Sequence, residues 1–184
     1  MRTFISPRLL ALCGTYLFLL GAPGSIRAAD YDFVGAAVFT NIQNGLGRGQ
    51  DVPYYGIGTS DRTGPNLQTG SIRPTSAPAP VGPATLQFTG EVGAHPLLPF
   101  GPKIHIISTA DGQIVCTWKA TFTIQFVSAT DVIFSGDGEF TVTGGTGKYK
   151  KATGKFRTLF ATGPIPLTSD SAVAGVTQNG KIKR

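Results

Sequence analysis

The sequence predicts an all-β chain, folded as a single antiparallel β-barrel of about eight strands, with a long irregular loop after the first strand. Three observations point there. From Ile114 to Phe126 the residues alternate strictly, with Ile114, Cys116, Trp118, Ala120, Phe122, Ile124 and Phe126 on one face. Val115, Thr117, Lys119, Thr121, Thr123 and Gln125 lie on the other. That is a period of two, which would give a helix no coherent apolar stripe. Charge is sparse (14% of residues), while Gly and Pro number 25 and 13, a composition of strands and turns. Beyond the first thirty residues, runs of strong helix formers are missing.

The elements follow in order. Tyr31 to Ile42 reads as a first strand, with Tyr31, Phe33, Ala37 and Phe39 on one face. Residues 43–83 are rich in Gly, Pro, Ser and Thr and lack a periodic pattern. A stretch of that kind is either a mobile functional loop or an ordered excursion with a short strand near Tyr54 to Gly58. Ala84 to Ala94 alternates again. Pro96, Pro99 and Pro102 then enforce a turn region, because proline cannot donate to a ladder. Lys103 to Ser108 is a short strand, and Ala110-Asp111-Gly112 a hairpin turn. After the long strand, Asp131–Ser135 and Glu139–Thr143 suggest a hairpin across Gly136-Asp137-Gly138. Gly154–Thr162 and Ala172–Ile182 complete the set. Seven or more antiparallel strands make a barrel or a sandwich, and closure removes long exposed edges.

The first 28 residues read as a secretory signal peptide. Arg2 and Arg8 precede an apolar run from Leu9 to Ala22, and small residues lead to Ala28. The run is short for a membrane span. Cleavage after Ala28 leaves one domain, residues 29–184, located outside the cytoplasm, secreted or periplasmic, with no stable membrane span. Cys13 is not a lipidation site, since Leu12 precedes it and the apolar run continues past it. Cleavage leaves Cys116 alone, so an internal disulfide is excluded and a buried, inert thiol is expected. Losing Arg2, Arg8 and Arg27 lowers the net charge to about +3, a mild excess that fits a solvated face. No motif supports nucleic-acid binding.

The most distinctive segment is Gly138-Glu-Phe-Thr-Val-Thr-Gly-Gly-Thr-Gly-Lys-Tyr-Lys-Lys-Ala-Thr-Gly154. Gly144, Gly145 and Gly147 permit a sharp reversal, Tyr149 and Ala152 can tuck a one-turn helix against the barrel end, and Gly154 lets the chain re-enter a strand. A phosphate loop is not supported, because Tyr149 stands where Ser or Thr is needed and no α/β context exists. The segment resembles the corner motif of allene oxide cyclase and dirigent-type barrels, especially their secreted bacterial relatives. Thr109-Ala110-Asp111-Gly112 resembles the hairpin preceding that motif. The resemblance covers roughly residues 104–182. It implies an eight-stranded barrel, a homo-oligomer (trimer or dimer), and a pocket for an apolar ligand; in cyclases of this type a carboxylate and a bound water assist.

Candidate functional residues are few. Glu91 and His95 share a strand face; lining a pocket they would make an acid–base pair, and facing solvent they would be ordinary surface residues. His105, between Ile104 and Ile106, reads as exposed. Trp118, Phe122, Phe126 and Phe88 either line a ligand pocket or fill the core. Two His and no Cys cluster give no transition-metal site, and no cofactor is implied. Motifs of hydrolases are missing. The expected function is a secreted, non-catalytic barrel binding a small apolar ligand. The alternatives are an isomerase or cyclase using the same cavity, or a structural, surface-interaction protein with a filled barrel.

Overall fold

In the computed structural model the described residues are 29–43, 50–98 and 101–184. The signal segment, residues 1–28, lies outside them, as do residues 44–49 of the irregular stretch and Pro99. No helix among the described residues is long and apolar enough to cross a membrane.

The chain forms one antiparallel sheet of eleven strands. They are β1 (Ala29–Thr40), β2 (Val52–Ser60), β3 (Gly64–Pro74), β4 (Ala79–Gly82), β5 (Thr85–Val92) and β6 (His105–Thr109), followed by β7 (Gly112–Phe126), β8 (Asp131–Gly145), β9 (Thr153–Thr162), β10 (Ile165–Pro166) and β11 (Ser171–Lys183). Strand β3 pairs with both β5 and β6, and both pair with β7. Strand β7 then pairs with β8, so the sheet returns on itself through β9, β11, β1 and β2 and is barrel-like. Strands β5 and β6 share one place in that ring, which gives it eight positions. The short β4 and β10 add to β5 and β8 outside it.

Two expectations from the sequence are corrected here. Residues 50–83 are not irregular: they supply β2, β3 and β4, so of the two readings of this stretch the ordered excursion holds, with far more strand than expected. The inward positions of β3 are Asn66, Gln68, Gly70 and Ile72, and those of β2 include Gly56. Polar side chains and glycine at inward positions erase the apolar alternation that would have marked the strands. Nor is there a turn at Gly136-Asp137-Gly138, since β8 runs unbroken through it. Those glycines face inward because neighbours need the space. A Cβ on Gly136 would lie 2.3 Å from Phe160 Cε1, and one on Gly138 2.9 Å from Ala120 Cβ.

The corner behaves as expected. Gly144 and Gly147 take positive φ (142° and 56°), a single turn of 3-10 helix spans Gly147–Tyr149, and Gly154 re-enters β9 at φ 153°. Gly145 serves a different purpose: a Cβ there would stand 1.9 Å from the Gln113 carbonyl oxygen, so it permits close approach of two strands. Tyr149 and Ala152 are buried beneath the corner.

The barrel interior is packed with aromatic rings. Phe39, Phe88, Phe122, Phe134 and Phe160 form one cluster with centroid spacings of 4.8–6.2 Å. Tyr31, Phe156, Phe140 and Trp118 form another, at 5.0–5.6 Å. Each such ring stabilises the fold by roughly 1.5–3 kcal/mol through burial. The walls change size between the clusters. Ala120 separates Trp118 from Phe122 on β7, and Gly136 with Gly138 separates Phe134 from Phe140 on β8.

Candidate functional site

Where those small residues meet, the core leaves a cavity of about 50 Å³, bordered by residues of β1, β2, β3, β6, β7, β8, β9 and β11. Most of its wall is aromatic or aliphatic. Its polar groups fall into two sets.

The first set is a chain of hydrogen bonds. Trp118 Nε1 donates to Tyr54 Oη at 3.1 Å, and Tyr54 Oη lies 2.7 Å from His105 Nδ1. All three residues are buried. Because the indole already donates into the phenol oxygen, the phenol's own proton is left for His105 Nδ1; the opposite tautomer would leave both that buried proton and a bare Nε2 without a partner among the described residues. His105 therefore carries its proton on Nε2. That atom is buried and has no hydrogen-bond partner among the described residues. Gly70 makes the arrangement possible. A Cβ there would sit 2.5 Å from Tyr54 Oη and 3.2 Å from His105 Nδ1.

The second set is a closed amide pair. Gln68 and Gln178 exchange two hydrogen bonds of 3.0 Å, and Tyr31 Oη donates to Gln178 Oε1 at 3.0 Å. Thr158 also borders the cavity, and its buried Oγ1 has no partner among the described residues. Among the residues that border the cavity, two buried polar atoms thus lack a partner, one on β6 and one on β9.

The titration behaviour follows from burial. Desolvation, with a smaller contribution from His95, pushes the His105 imidazole down to about 3, so it is neutral at physiological pH. Desolvation raises the Tyr54 phenol well above its ordinary range, against the opposing Trp118 hydrogen bond. It likewise raises the free Cys116 thiol. None of these groups is poised near neutrality for proton transfer.

The residues singled out from the sequence are distributed as follows. Trp118 and Phe122 border the cavity. Phe88 is buried, stacked on Phe122 at 5.0 Å, and does not border it. Phe126 packs at the core margin. Glu91 is partly exposed and pairs with Lys103 at 3.0 Å. His95 lies beyond the end of β5 and is buried, with Nε2 2.8 Å from Thr69 Oγ1 and Nδ1 accepting from the Leu97 amide at 3.3 Å. No hydrogen bond joins Glu91 to His95, and neither borders the cavity. His105, read as exposed, is instead 1% exposed. Asp137 touches the cavity, but its carboxylate is held on the outer face by Arg157 at 2.8 and 2.5 Å.

Among the described residues no group of three His, Cys, Asp or Glu is arranged to hold a metal ion. Comparison with protein-family models, with curated proteins and with solved structures finds no match for this chain.

Proposed function

We propose that the chain is a secreted, non-catalytic barrel of the allene oxide cyclase/dirigent type that holds one compact, mostly apolar molecule in its interior. The observation that carries this is the cavity between the two aromatic clusters. At about 50 Å³ it is far below the roughly 300–1,000 Å³ of sites for drug-sized ligands. The ligand is accordingly a molecule of a few heavy atoms, bordered mainly by rings and small residues. Among the described residues no carboxylate points inward, and the His and Tyr at the cavity are both held neutral, which favours binding over cyclase or isomerase chemistry. Secretion rests on the layout of residues 1–28.

Trp118 is the chain's single tryptophan and borders the cavity, so its emission reports occupancy directly. Titration with small hydrocarbons and ketones should change Trp118 emission saturably and raise the unfolding temperature. Unchanged emission and unfolding temperature across the panel would leave the filled, structural barrel as the better reading.

The proposed partner is a second copy of the chain. Val34, Val38, Tyr55, Ile57, Leu67 and Val173 project from the outer faces of β11, β1, β2 and β3, exposed by 39% to 66%. The registers make them neighbours: Val38 faces Tyr55 and Val173, and Ile57 faces Leu67. Their outward neighbours Ala36, Thr59, Thr69, Gly175 and Thr177 are uncharged, and Asp32, next to Val34 on β1, marks the rim of the face. Contiguous apolar area of this kind marks association surfaces, and an uncharged face is best matched by its own two-fold copy.

A further inference from the structure

We propose that the molecule held in the barrel is neutral and bears a hydrogen-bond-accepting oxygen, a carbonyl or an ether, which receives the proton of His105 Nε2. This rests on the reading of the interior as a binding cavity and names the class of ligand that fits it. The bond chain from Trp118 through Tyr54 to His105 has a direction. Each group donates to the next, and the last donor, Nε2–H, is left over on a residue that borders a mostly aromatic and aliphatic wall. A buried donor without an acceptor is costly, so the site discriminates in favour of a ligand that supplies one. Thr158 Oγ1, the second open polar atom, is a hydroxyl and can accept or donate.

Charge narrows the class further. No Lys or Arg borders the cavity, and the only bordering carboxylate, that of Asp137, is engaged outside by Arg157. An anion or a cation would enter without a counter-charge, which a wall of Phe, Trp and Ala does not tolerate. The imidazole, kept neutral by its burial, offers a dipole and no charge. A short ketone satisfies every condition. It has the size, one acceptor and no net charge.

The test uses butanone and n-pentane, which have equal numbers of heavy atoms, with the wild-type protein and His105→Phe. Trp118 emission reads binding. Butanone should bind the variant about tenfold or more weakly than it binds the wild type, by loss of one hydrogen bond, while pentane binds both within twofold. Equal weakening of the two probes would overturn the proposal. Should neither probe perturb Trp118 in the wild type, the cavity reading itself fails and takes the proposal with it. The imidazole ¹⁵N spectrum of the wild type decides independently of whether the variant folds. Nε2 should be protonated and Nδ1 bare, and butanone alone should shift the Nε2 proton downfield. A proton on Nδ1, or an Nε2 resonance that butanone leaves in place, would overturn it.

Discussion

Tyr54 Oη and His105 Nδ1 lie 2.7 Å apart in the barrel interior, brought together from β2 and β6, with Gly70 of β3 leaving the space in which they meet. The contact orders three strands at once. Gly70→Ala would place a methyl group 2.5 Å from the phenol oxygen. Overpacking of this kind destabilises by about 1–3 kcal/mol. Urea unfolding should show it as a lower midpoint with an unchanged slope.

Tyr54→Phe removes the acceptor of the Trp118 indole and the donor to His105 together. Two buried groups lose their partner, so the loss should be about 2 kcal/mol or more. Trp118 emission should shift, and His105 should lose its fixed tautomer in the ¹⁵N spectrum.

Acid stability should depend on His105. Its pKa is about 3 in the folded chain, against 6.5 as the ordinary value. The unfolded chain therefore takes up the proton first. Stability is fully present above about pH 6.5 and falls as pH drops from there towards 3, by up to about 1.4 kcal/mol per pH unit. His95, whose pKa burial also lowers, acts in the same direction. Relative to the wild type, His105→Phe should flatten the decline between pH 6.5 and 4 in chemical denaturation. Parallel curves would show that His105 is not the group responsible.

Ala37→Val should reduce the cavity from the β1 side, where the facing residue is Gly56. Small probes should then fail to move Trp118 emission, with stability changed by about 1 kcal/mol or less. Retained binding would place the ligand elsewhere.

Ile57→Lys combined with Val173→Lys should leave the protein monomeric at concentrations where the wild type sediments as a dimer, because the two charges would face each other's counterparts across a dry interface. A monomeric wild type at high micromolar concentration would remove the second copy as partner.

Strands β1 and β7 and the glycine corner were legible because apolar residues recur at every second position of the strands and glycines stand where the chain reverses; β9 and β11 followed as extended segments between turns. The same logic misread β8, where Gly136 and Gly138 resemble a turn yet make room for the Phe160 ring and Ala120. It left β2 as one of two alternatives and missed β3; their inward positions carry Gly56, Gln68 and Gly70. Those two strands supply Tyr54, the Gly70 gap and half of the amide pair, so most of the polar site was lost with them. His105 failed differently. In Ile104-His105-Ile106-Ile107 both faces are apolar, so alternation cannot tell which points inward; the fold buries His105 and Ile107 and leaves Ile104 and Ile106 partly exposed. Trp118 and Phe122 were found because β7 is regular.

The pairing of β1 with β11 along its whole length, from Ala29 opposite Ile182 to Thr40 opposite Ser171, sets a timetable. Among the described strands, the first in the chain must wait for the last. Until then β1 keeps an unpaired edge, and no partial chain can seal the interior. A chain without β11 remains an open sheet, so deletion of Ser171–Lys183 should expose the aromatic interior to water.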